Sequence, residues 1–341
     1  MNKGKRYLKL VPVIVGLILL ILDGTSAIEG ARDGLEVCVQ TVIPSLFPFM
    51  FLTSLLTASL SSPQNRHSSI ICRLYKISPG TEGILLAGLL GGYPVGAKSV
   101  ADAKRQSDLS STEAERMLVF CNATGPAFLF GITSSIFPHQ WIPWCLWGIH
   151  LISGITMARL SGSKPQSVTI RSTGAIPSVP LQFRQSIRAM SEICGWIILM
   201  RAVISVIQKR FLQFLPVSII IFIFGILELS TGCISLIQVK SIGLRFVLCA
   251  LFLNFGGLCV AMQTQSVSAG IRQRQYILGK CLQAMLGFIP AYTVQAFAFP
   301  PEEQIHWPIL FHITIIVVGL CFVLSRYNAK NSCGIFQEIV V

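Results

Sequence analysis

Four short clusters hold the residues whose types and spacing could do chemistry in this 341-residue chain. The first is Leu90-Gly91-Gly92-Tyr93-Pro94-Val95-Gly96-Ala97-Lys98. Its glycines permit a tight turn and close approach to a ligand. Pro94 fixes φ and removes a donor, and Tyr93 offers a ring and a hydroxyl. Lys98 can neutralise an acidic ligand or snorkel to an interface. The second cluster, Asn122-Ala123-Thr124-Gly125-Pro126, pairs two hydrogen-bonding side chains with a Gly-Pro step that unwinds a helix. The third is Glu228-Leu229-Ser230-Thr231-Gly232, and the fourth joins Asn254, Gly256, Gly257 and Gln263. Each has a purely structural counterpart: a tight turn, a kink satisfied by neighbouring helices, or an internal pair of Glu228 with Arg201 or Arg245.

What must position these clusters is a membrane-embedded helical scaffold. Of the residues, 52% are hydrophobic and only 12% charged, against about 25% charged in a soluble domain. The mean hydropathy is +0.68. Apolar segments run over 8–22, 35–60, 83–97, 117–137, 141–158, 190–207, 214–233, 242–263, 277–299 and 305–325. The basic tail with Lys3, Lys5, Arg6 and Lys9, followed by the apolar run 10–22, is similar to a signal peptide and is read as an uncleaved first span. The fold class expected is an all-α polytopic membrane protein of about eight spanning helices plus two re-entrant or broken-helix hairpins in inverted repeats. Its units are 1–34 (a span and an outer loop), 35–158 (the first repeat, hairpin near 83–97), the cytoplasmic linker 159–189, 190–299 (the inverted repeat, hairpin near 214–240) and 300–341 (a last span and tail).

The hairpins follow from charge. The net charge is +13, from 27 Lys and Arg against 14 Asp and Glu, and basic residues favour the inner side. A hairpin at 83–97 keeps Lys98, Lys104, Arg105 and Arg116 inside with Arg66, Arg73 and Lys76. The same tracing leaves Arg272, Arg274 and Lys280 inside but puts Lys209, Arg210 and Lys240 outside, against the rule. Each half then reads span, hairpin, span, span, and the pattern F-x-N-x-x-G recurs after each hairpin, at 120–125 and 252–257. Paired interrupted helices in inverted halves point to a secondary transporter. Helix stubs at mid-membrane leave N–H groups that attract anions, and an ionisable residue at that depth, here Glu228, is a functional hypothesis: a coupling proton, a cation or a ligand bond.

Other residues have plainer readings. Glu192 pairs with Arg188 one turn away. His150 and His312 are packed, hydrogen-bonded histidines, and Trp141, Trp144 and Trp147 form an interfacial belt. The eleven cysteines lie mostly in apolar runs, without C-x-x-C or zinc spacing, and read as buried apolar residues. No Walker A, H-E-x-x-H or G-x-S-x-G motif occurs, so an enzyme, a cofactor, a metal site and ATP-driven transport are not expected. The basic charge is expected in loops on a lipid bilayer rather than on nucleic acid.

Through Gly91-Gly92-Tyr93-Pro94-Val95-Gly96-Ala97-Lys98 and Phe120-Cys121-Asn122-Ala123-Thr124-Gly125-Pro126, and more loosely the clusters at 228–232 and 254–257, the chain resembles sporulation integral membrane proteins of the YlbJ (SpoVV) type, which belong with the nucleoside-recognition Gate domain proteins. The likeness runs from about residue 10 to 325. It implies an endospore-forming bacterium, a fold related to concentrative nucleoside transporters, and movement of dipicolinic acid, a small aromatic dicarboxylate, across the outer forespore membrane. The expected partner is a small anionic solute, and an oligomer is compatible with the reading. A nucleoside or related-solute transporter, or a non-transporting assembly protein of the spore, are the alternatives.

Overall fold

A computed structural model describes residues 14–60, 69–106, 109–162 and 178–300. All regular structure among them is helical. The order is α1 (14–22), α2 (Gly24–Val37), a wide π-helical turn at Cys38–Val42, α3 (Ile43–Leu60), α4 (Ile70–Tyr75), α5 (Glu82–Gly91), α6 (Val95–Gln106), α7 (Ser111–Cys121), α8 (Pro126–Ile136), α9 (Trp141–Leu160), α10 (Val179–Ile207), a second π-helical turn at Gln208–Leu212, α11 (Val217–Leu227), α12 (Leu229–Ser235), α13 (Ile242–Phe255), α14 (Gly257–Val267) and α15 (Gln273–Ala298). Among the described residues six stretches are long and apolar enough to cross a membrane: Gly24–Leu55, Ser111–Ile136, Trp141–Leu160, Val179–Leu212, Ile242–Val267 and Gln273–Ala298. This is a polytopic helical membrane protein. The expected span 305–325 and His312 lie outside the described residues.

The same unit is built twice. A long helix carrying a π-helical turn is followed by a broken hairpin (α5–α6; α11–α12), a broken span (α7–α8; α13–α14) and a continuous helix (α9; α15). The hairpins open toward opposite ends. At one end the buried guanidinium of Arg116 is held two-pronged by Glu113 (2.8 and 2.7 Å). It also donates to the carbonyls of Lys76 (2.6 Å) and Ala158 (3.1 Å). Nearby, Lys104 donates to Gly270 O (2.7 Å) and Arg159 to Leu74 O (3.1 Å). The stretches flanking the α5–α6 hairpin thus sit together with the end of α9 and the start of α15. At the other end Arg245 donates to Ile136 O (2.6 Å) and Val239 O (2.8 Å), joining the end of α8 to the exit from α12.

Two expectations need correction. Residues 24–34, read as part of an outer loop, are helical: α2 runs on through the π-helical turn into α3. Its buried stripe is Ser26, Ala27, Gly30 and Gly34, whose spacing sets one face of a helix. A Cβ at Gly30 would meet the Arg201 carbonyl, and one at Gly34 would lie 2.9 Å from Ile198 Cα. The small residues therefore let α2 and α10 pack backbone to backbone. A helix of 32 residues is about 48 Å long, longer than the roughly 30 Å hydrocarbon layer, so its charged first turns need not enter the layer. Lys280, read as an inner-side cation at the start of the span 277–299, is not a surface charge but is buried within α15 at 3% exposure.

The breach of the charge rule at Lys209 and Arg210 has a local cause. Asp23 caps α2 by accepting from Ser26 N (3.1 Å), and its other oxygen faces Arg210 (3.3 Å) and Lys209 (3.6 Å). The Ser26 N–H, with the two cations adding to it, holds the Asp23 carboxyl below the usual carboxylate range. The Arg188–Glu192 pair forms as expected, at 3.4 Å.

Candidate functional site

Both helix breaks of each half are locked together by glycine. Gly88, Gly92 and Gly96 recur every fourth residue. A Cβ on Gly88 or Gly96 would overlap the Cys121 carbonyl at the end of α7, and one on Gly92 would come within 2.7 Å of Gly125 N. Gly92, at φ +70 and ψ −166, also holds a backbone shape open essentially to glycine alone. The second half repeats the device. Glu228 interrupts α11–α12 in extended conformation, and a Cβ on Gly257 would stand 3.2 Å from Leu229 N. Gly225 lies against the Phe252 ring and Gly232 against Gly225.

The repeated asparagines then brace one half on the other. Asn122 accepts from Ala97 N (3.3 Å) and donates to Thr264 Oγ1 (2.6 Å) and Tyr276 OH (3.0 Å) on α14 and α15. Asn254 reaches back to α9: it receives His150 Nδ1 (3.0 Å) and the Ser153 hydroxyl, and its own amide donates to Ala250 O (2.8 Å). Thr124 closes the loop, donating its hydroxyl to Leu253 O (2.7 Å) and its N–H to His150 Nε2 (3.1 Å). Because Nε2 accepts there, the ring proton sits on Nδ1, which donates to Asn254. Asn122, Thr124, His150 and Asn254 are all buried.

Beside this brace a narrow cleft is lined by Tyr93, Glu228, Ser230 and Gln263, with apolar walls that include Leu46, Phe128 and Ile197. Glu228 is 2% exposed. Its carboxylate accepts from Ser230 N (2.9 Å), Thr231 N (2.6 Å) and Thr231 Oγ1 (2.6 Å), so the side chain caps its own helix stub. Neither Arg201 nor Arg245 pairs with it among the described ion pairs. Two other lining groups, the Tyr93 hydroxyl and Gln263 Oε1, are buried without a hydrogen bond, with Thr124 beside the former. The Tyr93 and Phe128 rings stand edge to face at 6.1 Å.

The expected residues therefore divide. Tyr93, Glu228, Ser230 and Gln263 meet in the cleft. Gly92, Gly125, Gly256 and Gly257 shape the breaks, with Gly256 left-handed at φ +86 and Pro126 opening α8 after Gly125. Gly91, packed beside Val95, Pro94, whose peptide bond to Tyr93 is cis, and Gly96 complete the first turn. Asn122, Thr124 and Asn254 are spent on the brace, and Thr231 and Gly232 on the second stub. Lys98 lies outside the cleft and donates to Gln185 on α10 (2.8 Å). Sequence reasoning gave His150 no role beyond packing and passed over Ser153, Thr264, Tyr276 and Gln283. Their signal was polar residues three or four apart inside apolar helices, 150/153 and 276/280/283, which mark a polar stripe facing inward.

The chain is 28% identical over 191 residues to the sporulation integral membrane protein YlbJ of Bacillus subtilis (strain 168), a match spanning 50% of this chain and 45% of that relative. The chain thus aligns with about half the length of the curated relative. The similarity supports the YlbJ-type resemblance drawn from 91–98 and 120–126. No family model matches the chain, and no solved structure matches it.

Proposed function

We propose that this protein is a secondary transporter-like membrane protein that moves a small organic anion, dipicolinate, across the outer forespore membrane of a sporulating cell. One observation carries the reading: two broken hairpins, entering from opposite ends, meet two broken spans around a cleft that holds a buried carboxylate and two unbonded polar groups. Irregular backbone at membrane depth is otherwise costly, and its placement in corresponding positions of two halves is the pattern of a solute site served by alternating access. In this reading the Tyr93 and Phe128 rings flank an aromatic solute. The Tyr93 hydroxyl donates to it, and Glu228 takes up the proton or cation that offsets its charge. The sporulation setting comes from the YlbJ similarity. The test is spore dipicolinate content in a strain lacking the protein, restored with wild type or with Glu228→Ala. Low content restored by wild type alone is expected. Normal content without the protein overturns the reading.

A further inference from the structure

Lys280 is a buried cation that the cleft around Glu228 does not use. Its ammonium has three N–H groups. Among the described residues one is engaged, by Gln283 Oε1 at 3.0 Å. Among the described residues no carboxylate lies within ion-pair reach, and the Tyr276 ring centroid is 5.9 Å away. Burying a lone ammonium is costly unless something compensates it. The amide nitrogen of Gln283, itself 1% exposed, also lacks a partner. Donors are thus in excess at this spot and acceptors short. Lys280 and Tyr276 line a second, narrow cleft together with Phe255, Gly257, Leu258, Ala261 and Ile277. The start of α14 at Gly257, which also lines this cleft, carries no side-chain cap. Gln263 and Val260 line the Glu228 cleft from the same helix, so α14 separates an acidic cleft from a basic one.

We propose that this second cleft binds the carboxylate of a small, partly apolar anion, with Lys280 supplying the charge and Phe255, Leu258 and Ile277 the apolar wall. A carboxylate accepts only, which matches the donor excess. That the bound anion is also the transported one rests on the transport reading above; binding itself does not.

The test uses the full-length protein purified in detergent, with equilibrium binding of benzoate and its neutral counterpart benzamide. Wild type should hold benzoate about tenfold or more tighter than benzamide. Lys280→Met should erase that preference and Lys280→Arg should keep it. Ala261→Phe, which fills the cleft and leaves Lys280 in place, should lose benzoate binding, and it decides the matter should Lys280→Met not fold. A wild type without preference, or an Ala261→Phe or Lys280→Met protein that binds benzoate like wild type, overturns the proposal. Lys280-dependent binding without dipicolinate flux into proteoliposomes keeps this site and removes the transport reading. Flux with no Lys280-dependent binding does the reverse.

Discussion

Glu228 and Asn122 are both buried polar side chains, and their bonding gives them different work. The Glu228 carboxylate is held within its own helix stub and turns toward a cleft. Asn122 holds three separate elements at once through Ala97 N, Thr264 and Tyr276. Removing Asn122 takes the acceptor from the buried Ala97 N–H and a donor from Tyr276 OH and Thr264, which keeps its bond to Val260 O, at about 1–3 kcal/mol for each unsatisfied group. Asn122→Ala should therefore lower stability by about 3 kcal/mol in detergent unfolding. Glu228→Gln keeps the volume and weakens only the cap, for about 1 kcal/mol, yet should abolish flux in proteoliposomes. An Asn122→Ala protein as stable as wild type would remove the brace, and normal flux in Glu228→Gln would remove the carboxylate from the solute site.

The breaks between elements make a sharper demand on sequence than the elements themselves. Gly92 combines a left-handed φ with backbone contact to Gly125, so Gly92→Ala faces about 1–3 kcal/mol of backbone strain besides the clash. It should lose flux and stability together. Gly148→Ala, in a helix with nothing within 4 Å of the added Cβ, should be neutral or slightly stabilising; equal losses in both would remove the special status of the break. Glycine, proline and asparagine made three of the four breaks legible in the sequence, because helix interruption needs those residue types. Glu228 was legible as an ionisable group at membrane depth. The α2 helix was hidden because Glu29, Arg32, Asp33 and Glu36 on its outer face masked the small-residue stripe on its inner one. Its tie to α10 can be titrated. With the folded value of Asp23 depressed below 3.8, its stabilisation is present above that pH and lost as pH falls through the folded value. The melting temperature should therefore fall further between pH 7 and 3 in wild type than in Asp23→Asn, and equal drops would disconnect Asp23 from the interface.

At the scale of the whole molecule, the net charge of +13 is distributed by the two hairpins. If α5–α6 crossed fully, Arg105 would stand on the side opposite Lys76. Instead, the Arg116 and Lys104 contacts gather Lys76, Ala158 and Gly270 at one end, while the Arg245 contacts gather Ile136 and Val239 at the other. Of the three cations that the tracing sets against the positive-inside tendency, Lys209 and Arg210 share the Asp23 carboxylate, which leaves Lys240 as the exception. Inverted halves braced by Asn122 and Asn254 have a further consequence. Any movement of one half against the other would have to open the cross-half bonds of Asn122, Thr124 and Asn254. The arrangement can be checked by sidedness in a cysteine-free background. Lys76→Cys and Arg105→Cys should resist a membrane-impermeant maleimide on intact cells and react after permeabilisation, while Lys240→Cys should react on intact cells. Reaction of Arg105→Cys from the same side as Lys240→Cys would mean that α5–α6 crosses the membrane, and the inverted repeat with its shared cleft would have to be abandoned.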